Sequence, residues 1–223
     1  MEIIEAISER KSIRAYKPDP VKMEIIKKIL RIATRAPSGT NGQPWEFTII
    51  TGDALDNVKR HNVECFNSIA PNPDFLNESW PSGSVYKQRQ IELAKDLFRI
   101  MGIAREDSEK RTRWMERGVR YFDAPVAIII SVDQSISGAT YLMDIGAVMQ
   151  SICLVAWNYH LGTCIEYQGV MYPDVLRKFA GIPKSKRIMI SIALGYPDCD
   201  FPANKAESPR EPVENITTWC GFQ

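Results

Sequence analysis

Two short stretches of this 223-residue sequence carry side chains whose types and spacing can do chemistry. In Arg10-Lys11-Ser12-Ile13-Arg14, the residues Arg10, Ser12 and Arg14 alternate with Lys11 and Ile13. An extended chain therefore presents two guanidinium groups and a hydroxyl on one face. A solvated basic stretch is the other reading of the same residues. Further on, Ala36-Pro37-Ser38-Gly39-Thr40-Asn41-Gly42-Gln43-Pro44-Trp45 gathers turn-forming residues. The backbone N–H groups of a sharp turn, the hydroxyls of Ser38 and Thr40 and the amide of Asn41 can hold a flat polar ligand or a phosphate. An ordinary helix-to-strand loop has the same composition.

Other chemistries find little support. The two histidines, His61 and His160, stand at no metal-ligand spacing from a cysteine. The five cysteines are an odd number without a C-x-x-C pair, which is a poor disulfide framework and suits a reducing cytoplasm. With 28 basic and 27 acidic side chains, the net charge of +1 supplies no general field for nucleic acid or an anionic membrane. The expected partners are a small molecule and another copy of the chain. The first residues lack the pattern of a signal peptide, and no apolar run approaches the roughly 18 residues that span a bilayer. The length suits one large domain.

Alternating helices and strands must position the two stretches. Residues 2–9 make a short helix with Ile3, Ile4 and Ile7 on one side, and 22–35 a helix apolar at Ile25, Ile26, Ile29 and Leu30. Asp19 suits an N-cap and Pro20 a first helical position for that second helix. Residues 45–50 read as a strand and 53–66 as a helix. The irregular segment 68–84, with Pro71, Pro73 and Pro81, marks a lid, a binding loop or disorder. Helices are expected over 86–103 and 105–121. Ala127-Ile128-Ile129-Ile130-Ser131-Val132 is a strand covered on both faces. Residues 140–160 form the longest buried helix, closed by Leu161-Gly162, and polar Gln150 within it implies a hydrogen-bonding task. A helix over 173–180 and a strand over 187–196 complete the core, and few core residues follow Pro197 before Trp219.

Four blocks in order, Arg10–Arg14, Ala36–Phe47, Leu161-Gly162-Thr163-Cys164 and Ala193-Leu194-Gly195-Tyr196-Pro197-Asp198, resemble the FMN-dependent nitroreductase family. The resemblance covers essentially the whole chain. It implies an α+β fold, a three-layer α/β/α sandwich with a central, mostly antiparallel sheet, in an intertwined homodimer with FMN at the interface. Residues 1–223 then form a single domain, with 68–122 a variable lid over the substrate and 198–223 a C-terminal arm. Carried over by position, Arg10, Lys11 and Ser12 bind the cofactor, and Arg14 approaches N1 and the C2 carbonyl of the flavin ring. A permanent cation there favours the reduced ring, which carries negative charge at that edge. Pro37, Ser38, Gly39 and Asn41 belong to the flavin-binding loop, and Gln150 lies close to the ring. Gln168 and Gly169 are chosen for the backbone amide that faces N5, with Glu166 the alternative. Arg210, in a block resembling the family's closing R-x-P-[LV]-E, contacts the phosphate, with Lys205 second. Phe75, Trp80, Tyr86 and Trp114 form a substrate wall or are merely core and surface aromatics.

The implied activity is hydride transfer from NADH or NADPH through FMN to a small acceptor such as a nitroaromatic or quinone. Arg14 is the one catalytic residue assigned. No dinucleotide-binding G-x-G-x-x-G is present, as a ping-pong order requires no separate nucleotide domain. Residues 84–107 resemble the branch containing nitrobenzoate reductases. A reductive dehalogenase or flavin-consuming enzyme of the same fold, or a non-catalytic flavin-binding protein, is the alternative.

Overall fold

Strand β2, Val126–Asp133, is the apolar run read as doubly covered, and its alternate residues go to opposite sides. Val126, Ile128, Ile130 and Val132 enter one core cluster, Ala127 and Ile129 the other. β2 pairs antiparallel with β1, Glu46–Thr51, and with β4, Lys186–Gly195. β4 in turn pairs antiparallel with β3, Gly162–Glu166, giving a sheet of order β1-β2-β4-β3. The computed structural model describes residues 2–75 and 79–222, so residues 76–78 of the expected irregular segment lie outside the described residues.

Helices cover both faces of the sheet. On one lie α2, Met23–Ala33, and α6, Thr140–Asn158, which bring Ile26, Ile29, Ile145, Val148 and Ile152 onto the sheet. On the other lie α3, Gly52–Phe66, α7, Pro173–Ala180, and the end of α5, Ser108–Val119, with Leu55, Val58, Leu176 and Val119 inside. The result is the expected α+β three-layer sandwich. Outside the layers are α1, Ile3–Glu9, α4, Val85–Ile100, and a short α8, Val213–Ile216.

Three expectations are corrected. Helix α2 begins at Met23 with Lys22 as its N-cap, not at Asp19 and Pro20. Burying Val21 in the core draws the preceding segment out straight, and packing overrides the capping signal. Helix α6 ends before Tyr159, and the left-handed residue that follows is His160 (φ +58°), so Gly162 does not close the helix. Nor is α6 buried all round: Tyr141, Ile145, Val148, Ile152, Cys153 and Ala156 are, whereas Met143 is 69% exposed and Gln150 faces outward. By length and composition α6 also matches a membrane span, with a mean hydropathy of 1.3, although the sequence reading expected no such run. Its buried stripe packs on α2 and the sheet as a core helix does.

The segment after Pro197 contributes more core than expected. Ala203 and Ala206 pack with Leu97 of α4, Phe201 and Trp114 in a small third cluster. Beyond it Val213, Ile216, Trp219 and Phe222 are exposed.

Candidate functional site

The basic segment 10–14 lies as a strap along the edge strand β3. Ser12 forms a parallel bridge with Thr163, and the Ile13 amide donates to the Thr163 carbonyl at 2.9 Å. Gly162 makes this approach possible, since a Cβ there would stand 2.6 Å from Cγ1 of Ile13. Ile13 is buried, whereas Arg10, Lys11, Ser12 and Arg14 are all half-buried, so the expected alternation separates Ile13 but not Lys11. Arg14 makes no ion pair among the described residues, and its guanidinium meets only the Ser12 carbonyl, at 3.4 Å. Its charge is therefore available to a ligand. Its backbone is not: the Arg14 amide donates to Oδ1 of Asn204 at 2.6 Å, and its carbonyl accepts from Nη2 of Arg117 at 3.0 Å.

Two residues beyond the end of the strap's partner strand, the chain makes a single 3-10 turn, Gln168–Val170. The turn is pinned from beneath. The Gly169 carbonyl accepts from the Tyr121 hydroxyl at 2.7 Å and from Nδ2 of Asn62 at 3.4 Å. A Cβ at Gly169 would lie 2.2 Å from the Tyr121 ring and 2.8 Å from Oγ of Ser191, so only glycine fits. The backbone N–H groups of Gln168 and Gly169 have no acceptor among the described residues, which leaves two donors side by side on an otherwise satisfied turn. The Gln168 side chain is directed to Sδ of Met115, 3.9 Å away.

Glu166, the alternative for the N5 position, turns its carboxyl into the protein. Both oxygens are buried without a hydrogen-bond partner among the described residues, and burial holds the group well above the usual carboxylate range. Its backbone carbonyl accepts from Oγ of Ser191 at 2.8 Å. Cys164 is held as a neutral thiol: burial pushes it up to about 12.

The loop 36–45 uses many of its own donors. The Gly39 amide donates to Oδ1 of Asp144 at 3.1 Å, Oγ of Ser38 accepts from the Gln43 amide at 3.0 Å, and the Thr40 hydroxyl donates to the Gly39 carbonyl. The Asn41 side chain remains open to a ligand, and Pro37, Gly39 and Asn41 are exposed. Thr40, Asn41 and Gln43 all have positive φ, at 49°, 60° and 47°. A left-handed conformation costs about 1 kcal/mol for such a residue. Three in four positions are more strain than an ordinary connection needs.

Within one chain the loop and the strap do not meet. The loop leads into β1 and the strap lies on β3, the two opposite edges of the sheet, about 14 Å apart at three ~4.8 Å strand spacings. Gln150 lies on the exposed face of α6. Arg210 is exposed on the tail, with Nη1 on the Ser208 carbonyl (2.7 Å) and hydroxyl (2.8 Å). A groove of about 720 Å³ is bordered by Arg10, Lys11, Lys17 and Lys205 but not by Ser12, Arg14, Gln168 or Gly169. Among the aromatics, Phe75 and Trp114 pack on core clusters, while Trp80 and Tyr86 form an exposed pair with ring centroids 5.2 Å apart. Sequence reasoning missed Asn62, Arg117, Tyr121 and Asn204. Asn62 and Arg117 stand among charged residues and Asn204 among turn residues, so nothing local marks their partners.

Residues 7–196 match the model of the nitroreductase family. The chain belongs to the nitroreductase family. Among similar proteins, the nitrobenzene nitroreductase of Ectopseudomonas oleovorans is 31% identical over 97% of this chain and 96% of its own. The 4-nitrobenzoate reductase of Pseudomonas putida is 27% identical over 97% of this chain and 94% of its own. The crystal structure of the FMN and NADPH-dependent nitroreductase NfnB from sphigopyxis sp. strain HMH superimposes with a TM-score of 0.94 at 27% identity, both chains covered in full. The family that the four blocks led one to expect is thus the family the chain belongs to, on a matching fold.

Proposed function

We propose that the protein is an FMN-dependent NAD(P)H oxidoreductase that passes electrons to a small acceptor, a nitroaromatic in the first place. The observation that carries this reading is that an unneutralised cation at Arg14, on the strap along β3, and two backbone donors at Gln168 and Gly169 without acceptors among the described residues, in the turn that follows β3, belong to the same edge of the sheet. Those donors fit a ring whose edge carries acceptors and gains negative charge on reduction. The cationic set Arg10, Lys11 and Arg210, with the Ser12 hydroxyl, fits its phosphate. Bound FMN supplies the chemistry, accepting hydride from a nicotinamide and delivering it to the acceptor in a ping-pong order. The chain's residues orient the ring, hold positive charge at one edge and present N–H donors along another.

The second half of the cradle, Pro37, Ser38, Gly39 and Asn41, comes from a partner copy, and Gln150 approaches the ring from the exposed face of α6. This explains why one chain leaves the loop and the strap on opposite sheet edges. The protein is accordingly a homodimer, a single domain whose segment 68–122 covers the substrate and whose residues 198–223 reach across the partner. A reducing cytoplasm suits its five free cysteines.

The test is an anaerobic absorbance spectrum of the purified protein before and after adding NADH or NADPH. A flavin spectrum that bleaches and then recovers with a nitroaromatic is the expected result. Flavin that stays oxidised would overturn the enzymatic reading, and failure to take up FMN would overturn the cofactor assignment as well.

A further inference from the structure

Both backbone polar groups of Arg14 are taken by residues from distant parts of the chain. Asn204, only 4% exposed, accepts from the Arg14 amide through Oδ1 at 2.6 Å. Its Nδ2 donates to the Ala15 and Asp198 carbonyls, both at 2.8 Å. Arg117, on α5, donates from Nη2 to the Arg14 carbonyl at 3.0 Å and is itself held by Asp123 at 2.9 Å and by the Phe201 ring, 4.9 Å below its guanidinium. Further along, the Lys17 amide donates to the Tyr196 carbonyl at 2.8 Å and the Tyr16 hydroxyl to the Ile13 carbonyl at 2.8 Å. A buried Asn that satisfies one peptide N–H and two carbonyls has used three of its four hydrogen-bonding positions, both N–H donors among them, on the backbone of its own chain. What it fixes is where the next side chain starts.

We infer that Asn204 and Arg117 are positioning residues for Arg14: together they clamp its peptide groups from both sides and so set the place of its guanidinium. This rests on the reading of Arg14 as the charge at the flavin edge. The energetic logic is that a charge tunes a neighbour only if it stays put, and a shift of about 1 Å is enough to lose the effect. Asn204 is the cleaner probe, because replacing it changes no charge.

The experiment is a double-mutant cycle on the FMN-loaded protein, read as the ratio of reduced to oxidised flavin at fixed applied potentials. Asn204→Ala lowers that ratio about tenfold, which for a two-electron couple is about 30 mV. In the Arg14→Ala background the same substitution leaves the ratio unchanged, because the charge it positions is gone. Arg117→Lys, which keeps the charge and loses the fork, behaves alike and serves where Asn204→Ala fails to fold. A purely structural role would lower the melting temperature in both backgrounds without moving the ratio in either, and that result overturns the inference. So does an equal drop of the ratio in both backgrounds. If Arg14→Ala itself leaves the ratio unmoved, the flavin-edge assignment fails, and the clamp loses its purpose with it.

Discussion

Arg14 is a cation without an ion pair among the described residues, and its own peptide groups are both engaged. On the proposed reading, replacing it removes a charge that acts on a ring becoming negative, an effect of the size seen for single preorganised donors, roughly 10²-fold. Arg14→Ala is therefore expected to slow anaerobic flavin reduction by NADH or NADPH about that much in stopped-flow measurements, with FMN still partly retained. An unchanged rate would remove the electrostatic role. Glu166 gives a second prediction from the opposite situation, a carboxyl with neither partner nor solvent. The unfolded chain gives up this proton near the ordinary glutamate pKa of about 4.3, whereas the buried group in the folded protein keeps it to well above that value. Stability is thus fully present below the ordinary value and declines as pH rises, by about 1.4 kcal/mol per pH unit, until the folded group ionises. Thermal melts at about pH 5 and about pH 8 should show this loss in the wild type and a flatter profile in Glu166→Gln. Parallel profiles would mean that the carboxyl reaches water.

At the scale of elements, the 3-10 turn Gln168–Val170 is held by what lies under it. Gly169→Ala would drive a methyl into Tyr121, which is fully buried and cannot retreat. Overpacking of that kind costs about 1–3 kcal/mol, so a lower denaturation midpoint together with weakened flavin binding is the expected outcome. A variant as stable as wild type would show that the turn can shift. How far such elements are legible depends on where their partners come from. Strand β2 was readable because burial on both faces leaves an unbroken apolar run, and α2 because its stripe repeats with the helical period. The outward face of α6 was not, since Leu142 and Met143 look like core until the neighbours are known. Asn204 was hidden among turn residues of the tail, and its burial arises only because Phe201 and Ala203 pack on Leu97. The strap and the loop were found as motifs, yet nothing local tells that they end on opposite edges of the sheet. That is a property of strand order, set by pairings distant in sequence.

The whole molecule leaves large apolar side chains in water: Ile3 and Ile4 of α1, Met143 of α6, and Ile216, Trp219 and Phe222 of the tail are 65%, 75%, 69%, 69%, 65% and 77% exposed. Covering such surface in a second copy contributes about 25 cal/mol per Å². The joint substitution Trp219→Ala and Phe222→Ala should therefore weaken the dimer in sedimentation experiments and loosen FMN with it. A monomer that retains FMN would break the proposed link between assembly and cofactor. The sheet order carries a further consequence for heredity as well as for assembly. When strap and loop reach one site from different copies, two alleles that are each dead can cover for one another. Subunits broken at Arg14 and subunits broken at Asn41, refolded together in equal amounts, form about half their dimers as mixed pairs. Each mixed pair places both lesions in one site and none in the other. Activity of about a quarter of the wild type should then appear from two inactive parents.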